Sequence, residues 1–229
     1  MTRTATEQLK TESRFWDRIA PRYSRKPVPD AAVYEQKLER TERYLNADQV
    51  VLEVGCGTGT TAIHHASSVR HVHATDLSTG MIQIAQEKAD AAGVQNITFE
   101  VSSISELDTK PDQYDVILAH SILHLVSDVP RTLRQFRQML KPGGVLIAST
   151  PCLADIAGWL RWIAPVGNAL GLLPALNFFS KDQYFKWMEQ AGFSVEENWL
   201  PGAKTGYYTV SRSRREVSGR SDEVVRLVG

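Results

Sequence analysis

Val50-Val51-Leu52-Glu53-Val54 runs directly into Gly55-Cys56-Gly57-Thr58-Gly59. The first half is a short β-branched run that stops at glycine, the pattern of a buried strand. In the second half, the glycines permit a sharp turn and a close approach of backbone to a ligand. Thr60 to Ser68 then reads as a helix, whose free N-terminal N–H groups would point at that ligand. Strand, glycine loop and helix in this order suit a nucleotide-like ligand at the carboxyl end of a sheet. Loops are also glycine-rich for structural reasons alone, so the neighbouring elements decide.

Downstream, the pattern alternates. His71 to Thr75 is a second strand, and Ser78 is placed to cap a helix from Thr79 to Ala92 that Gly93 closes. Ile97–Val101, Asp115–Ala119 and Val145–Ser149 read as further strands. A helix around Pro130 to Leu140 and a Lys141-Pro142-Gly143-Gly144 turn precede the last of these. After an interruption at 151–180, Lys181 to Ala191 is a helix stopped by Gly192. Phe193–Trp199 and Tyr207–Ser211 are two final strands, separated only by Leu200 to Gly206, so they can pair antiparallel. Upstream, 7–45 reads as helical, with one run before Pro21 and a second from Ala31 to Tyr44.

This order predicts an α/β fold: a mostly parallel sheet of seven strands, helices on both faces, the last strand antiparallel. The chain divides into an N-terminal helical cover (1–45), a ligand-binding core (46–150), an apolar insertion (151–180), a segment completing the sheet (181–211) and a charged tail (212–229). All are expected to form one structural domain.

The 229 residues are 42% hydrophobic and 23% charged, enough to bury a sizeable core. The 26 basic and 26 acidic residues cancel, which excludes a general basic field for nucleic acid. Arg212, Arg214 and Arg215 cluster, but Glu216 follows, as on a solvated face. Cys56 and Cys152 are the only cysteines, too few for a disulfide framework. Met1 to Lys10 is polar and mixed in charge, unlike a signal peptide, so the expected compartment is cytoplasmic. Between Arg161 and Lys181 lie 19 residues without formal charge, yet they include Pro165, Pro174, Gly167 and Gly171. Such a run suits an apolar lid or a face in peripheral contact with lipid better than a membrane-spanning helix.

Asp76 follows the second strand, 21 residues after Gly55, where a carboxylate can accept both hydroxyls of a ribose. A turn or capping role is the alternative, but Ser78 is available to cap. A nicotinamide dehydrogenase would share the offset, but its G-x-G-x-x-G pattern needs glycine where Thr60 stands, and no P-loop lysine follows. Glu53 places a carboxylate at the edge of the crevice, repelling a pyrophosphate and favouring a cationic nucleoside.

These residues resemble the first motif of the class I S-adenosylmethionine-dependent methyltransferases. The likeness continues through His-Ala-Thr-Asp76-Leu-Ser with Met81, Phe-Glu-Val-Ser102-Ser103-Ile104, Tyr-Asp115-Val-Ile-Leu-Ala-His120-Ser121-Ile-Leu-His124-Leu, and Leu140-Lys-Pro-Gly-Gly-Val-Leu-Ile. The segment Phe15-Trp16-Asp17-Arg18-Ile19-Ala20-Pro21-Arg22-Tyr23 is similar to that of the quinone-biosynthesis and sterol-type branch. The resemblance implies a Rossmann-like fold with S-adenosyl-L-methionine as cofactor and S-adenosyl-L-homocysteine as product. It implies Gly55 and Gly57 under the methionine part, Glu53 near its amino group, Asp76 on the ribose and Leu77 and Met81 around the adenine. Ser103 and Ile104 would meet the adenine edge, and His120 would sit beside the methyl; Cys56 and Ser102 complete the cofactor-binding set. The family often has aspartate at the position of Ser103, so a strong bond to the adenine amino group is not expected there.

His120 and His124 are the candidate catalytic bases, since an imidazole titrates near neutrality. His64 and His65 adjoin on a helix and are expected to face apart; His71 and His73 lack a partner at ligand spacing, so no metal is expected. Cys56 reads as a small packing residue, whereas Cys152 is within reach of the site's rim. The cover segments suggest an apolar or amphiphilic small-molecule acceptor, with Tyr23, Trp159, Trp162 and Phe178 lining its pocket. A non-catalytic cofactor-binding sensor or assembly factor is the alternative, and a protein or nucleic-acid methyltransferase ranks below both. The oligomeric state is not legible.

Overall fold

A computed structural model of the chain describes residues 5–202 and 206–214. Seven strands form one sheet: β1 (Val50–Val54), β2 (His71–Asp76), β3 (Ile97–Val101), β4 (Tyr114–His120), β5 (Leu140–Thr150), β6 (Phe193–Trp199) and β7 (Tyr207–Ser213). Their order is β3-β2-β1-β4-β5-β7-β6. The first five pair in parallel, and β7 runs antiparallel between β5 and β6. The expected α/β class, the seven strands and the reversed last strand are all present. The strand order turns around between β1 and β4, so the crevice that such sheets use for ligands opens at the carboxyl ends of these two strands.

Each face of the sheet has its own core. On one, Leu52, Ile117 and Leu146 pack with Leu133 and Phe136 of α5 (Val129–Met139) and with Tyr184 and Met188 of α8 (Lys181–Gln190). On the other, Val51, Val72, Val116 and Ile147 pack with Ala62 and Ala66 of α3 (Thr60–Ala66). In α4 (Thr79–Ala91), Ser78 caps as expected, its hydroxyl accepting from Met81 N at 3.0 Å, and Gly93 follows with φ +69°.

Several boundaries differ from those expected by a residue or two, and three differ in ways that change the packing. First, α1 (Ala5–Tyr23) continues through Pro21, which sits in its last turn. There the Pro21 carbonyl accepts from Ser24 Oγ and Arg25 Nε, so the helix end is satisfied by side chains; α2 (Ala31–Glu42) follows. Second, β5 starts at Leu140 rather than Val145. Tyr114 pairs with Leu140 and Val116 with Val145, so Lys141–Gly144 bulges from the ladder. The Asp115 carboxylate holds this bulge, accepting from Lys141 Nζ at 2.8 Å and from Val50 N at 2.8 Å. Third, β7 extends to Ser213, where Arg212 pairs with Glu196 across the strands, so the first residues assigned to the tail belong to the sheet. From Arg215 on, the tail lies outside the described residues.

The insertion is not one helix. It folds as α6 (Leu153–Ala157), a 3-10 turn (Gly158–Trp162) and α7 (Ala164–Ala169), then runs irregularly to Ser180. Pro165 stands in the first turn of α7, and Gly171 follows that helix with φ +68°. Among the described residues no helix is long and apolar enough to cross a membrane.

Candidate active site

A cavity of about 350 Å³ lies at the switch point between β1 and β4. Its floor is the glycine loop, where Gly55, Gly57 and Gly59 all adopt positive φ (65°, 54° and 74°). Each has a different reason for lacking a side chain. A Cβ on Gly55 would come within 2.7 Å of Ile122 Cδ1, and one on Gly59 within 2.7 Å of Ala85 Cβ. A Cβ on Gly57 would find nothing nearer than Tyr23 Cε1 at 3.9 Å, because it would project into the cavity. Gly59 is therefore a packing glycine and Gly57 a cavity-facing one.

Asp76 ends β2 beside this loop. One carboxylate oxygen accepts from Gly57 N at 2.9 Å and the other from Ser78 N at 2.9 Å. Burial raises its pKa, and those two backbone bonds oppose the rise. Each oxygen keeps lone-pair capacity for a second donor. Leu77, Met81, Ser102, Ser103 and Ile104 line the same cavity. The Ser103 hydroxyl is already engaged, donating to Glu106 Oε2 at 2.6 Å. The Ile104 carbonyl accepts from Gln135 Nε2 at 2.8 Å.

Glu53 lies beneath the loop, 3% exposed, and Oε2 has no partner. Burial, reinforced by the Asp76 carboxylate, pushes its pKa up to about 8. Cys56 packs in the core cluster with Ala62 and Val72, and its side chain is not part of the lining. Its thiol pKa lies well above the usual range because of burial and the carboxylates of Glu53 and Asp76.

His120 lines the cavity at the end of β4. Burial, then the Lys37 ammonium, lowers its pKa to about 4; Nδ1 has no partner and the ring stacks on Tyr208. Lys37 itself donates to Ser149 Oγ at 2.8 Å. His124 is likewise lowered to about 4 by burial, but it is not in the lining. Both imidazoles are neutral at pH 7 and weaker proton acceptors than free histidine.

Of the residues expected around the acceptor, Tyr23 lines the cavity. Trp159 and Trp162 stand outside it, 66% and 79% exposed, and half-buried Phe178 is also absent from the lining. Cys152 is 1% exposed within the core, so its expected place at the rim is corrected. His64 and His65 do not face apart: their rings meet edge to face at 5.0 Å, and His64 Nε2 lies 2.9 Å from Glu42 Oε1. Donor atoms of Glu42, His64 and His65 fall within 4.8 Å of one another, because α2 packs on α3. His73, expected to lack an acidic or cysteine partner at ligand spacing, bonds Glu100 on the adjacent β3 at 2.8 Å and Tyr114 on β4, beyond β1, at 2.7 Å.

The sequence places Tyr23 and Trp16 on a wall of the pocket but does not announce the other contacts of α1. Leu9, Glu12 and Trp16, at spacings of three and four, line the cavity from one face of that helix. Asp17 anchors the helix, accepting from Ser78 Oγ at 2.6 Å and Gly80 N at 2.9 Å. Arg131, Thr132 and Gln135 of α5 complete the far wall.

Residues 28–198 match the family model described as a methyltransferase domain. The chain belongs to this family. It is similar to a demethylmenaquinone methyltransferase of Listeria welshimeri, 25% identical over 202 residues that cover 82% of each protein. It is also similar to the hybrid PKS-NRPS synthetase mpsA of Macrophomina phaseolina, 32% identical over 72% of this chain, which spans 4% of that much longer protein. Among solved structures, an S-adenosylmethionine-dependent methyltransferase from Mesorhizobium loti superposes with a TM-score of 0.63 at 20% identity, covering 77% of this chain and 96% of that one. The protein is a methyltransferase, and its cofactor is S-adenosylmethionine. The site fits that cofactor: Gly57 leaves open the space a Cβ would fill, Asp76 offers acceptor capacity, and Glu53, beneath the loop and outside the lining, keeps an unpartnered oxygen on an acid that a nearby cation would favour in its ionised form.

Proposed function

We propose that this methyltransferase acts on an apolar or amphiphilic small molecule. The observation that carries this is the cavity wall, where Leu9 and Trp16 of α1 and Ile122, Leu125 and Val126 after β4 surround the glycine loop with apolar side chains. The relative named for demethylmenaquinone supports it. When bound, S-adenosylmethionine supplies an electrophilic methyl on a sulfonium whose leaving group is a neutral thioether, so no acid is needed. The chain's own task is to hold the acceptor behind that methyl, and positioning of this kind is worth roughly 7–11 kcal/mol.

In this reading Gly55, Gly57 and the Cys56 backbone carry the methionine portion, Asp76 takes the ribose hydroxyls, and Leu77, Met81, Ser102, Ser103 and Ile104 enclose the adenine. His120 borders the reacting methyl as a neutral acceptor for a proton or hydrogen bond, Tyr23 closes the mouth, and His124 supports the turn that presents Ile122. Incubating the protein with radiolabelled S-adenosylmethionine and metabolite extract should place label in products that partition into organic solvent. Label confined to hydrophilic products would contradict the proposal.

A pH dependence follows for Glu53. With its pKa at about 8, this acid is protonated at neutrality, and a cationic ligand favours its ionised form. Cofactor binding between pH 6 and 8 should therefore release a proton. Affinity should rise with pH, by up to about tenfold per unit for one coupled proton, and level off above about 8. Calorimetry across this range should show the slope in the parent and its loss in Glu53→Gln. Equal slopes in the two proteins would remove Glu53 from the cofactor's charge balance.

A further inference from the structure

The insertion carries an unusual surface. Trp159, Trp162, Ile163, Val166, Leu170 and Leu172 are all exposed, the last two at 67% and 68%. Large apolar side chains standing out from one short segment mark an interaction surface, since single-chain soluble surfaces seldom keep them together. Beside this patch runs a stripe of cations. Lys10, Arg14, Arg18 and Arg22 recur every four residues along α1, and all are exposed. The two features touch, because Arg18 Nη2 donates to the carbonyl of Gly171, between Leu170 and Leu172. The acids beyond the first turn of α1 point elsewhere: Glu12 lines the cavity and Asp17 is bound to Ser78 and Gly80. On the insertion, the Asp155 carboxylate accepts from Lys181 N. A net-neutral chain thus presents one face that joins tryptophans and leucines to a line of positive charge.

We propose that this face, made of α1 and residues 156–172, docks on an anionic phospholipid bilayer. Tryptophan suits the headgroup region, where its amphipathic ring has both an apolar and a wet side. The adjoining arginines and lysine would meet lipid phosphates, with an attraction that falls as salt rises. Another face of α1 lines the cavity, so docking would hold the site close to the lipid surface. The proposal rests on this surface and not on the identity of the methyl acceptor.

Vesicle co-sedimentation of the full chain tests it. Vesicles of phosphatidylcholine with phosphatidylglycerol should bind the protein, and those of phosphatidylcholine alone should bind it at least about tenfold less. Added salt should weaken the binding, and tryptophan fluorescence should shift to the blue. The Trp159→Ser, Trp162→Ser pair and, separately, the Leu170→Ser, Leu172→Ser pair should each lose about tenfold or more while keeping the parent's circular dichroism. The Arg14→Gln, Arg22→Gln pair should lose the preference for anionic lipid. Absence of binding to either vesicle, unchanged binding by both apolar variants, or a tryptophan-dependent dimer in sedimentation velocity that excludes vesicles would overturn the proposal.

Discussion

Gly57→Val should fold and fail to bind S-adenosylmethionine. The added side chain would leave the loop into the cavity, where its Cβ meets no protein atom closer than 3.9 Å, so the protein itself does not oppose it. The conformational cost is that of a branched residue at φ +54°, about 1–2 kcal/mol, which should lower the melting temperature by roughly 2–8 °C. A ligand resting on the loop would meet both new methyl groups. Forcing such groups into filled space costs about 1–3 kcal/mol even when neighbours can adjust, and here the Gly57 N–H is also fixed by Asp76. Affinity should fall by about a hundredfold or more. Calorimetry on the folded variant checks this, and parent-like binding would place the cofactor away from Gly57.

The opposite behaviour is expected two residues on. A Cβ on Gly59 would sit 2.7 Å from Ala85 Cβ, 3.3 Å from Ala85 Cα and 3.2 Å from Phe99 Cε1. Ala85 belongs to α4 and is fully buried, so its backbone cannot move aside without displacing the helix. Overpacking of about 1–3 kcal/mol adds to about 1–2 kcal/mol for the left-handed backbone at φ +74°. Gly59→Ala should therefore lose about 2–5 kcal/mol, a large share of the 5–15 kcal/mol typical of a domain. Its melting temperature should fall by roughly 4–20 °C. Adding Ala85→Gly removes the contacting methyl and should restore part of this loss, a coupling that thermal melts of the three variants would measure. Additive losses would show that the two residues do not meet.

What the sequence revealed was local. β1 with its glycine loop, Asp76 at the end of β2, the Ser78 cap and the antiparallel β6–β7 pair each depend on residues within a few positions of one another, and all are present. Contacts made across the fold were hidden. Nothing local tells that Asp17 caps a helix 61 residues away, or that Lys37 reaches Ser149 from α2. Glu42 joins His64 and His65 only because α2 lies on α3. Trp159 and Trp162 suggest a pocket because apolar clefts with few polar groups bind small molecules, but their exposure depends on where the insertion packs, not on its composition. Lys141–Gly144 has the composition of a turn and the conformation of a bulge, since Asp115 ties it into the sheet.

The most direct test is a crystal structure of the protein with S-adenosylhomocysteine. The ligand should lie on Gly55 and Gly57, with its ribose hydroxyls bonded to the Asp76 carboxylate and its adenine beside Leu77, Met81 and Ile104. A ligand bound elsewhere, or a cavity left empty at saturating concentration, would contradict this assignment.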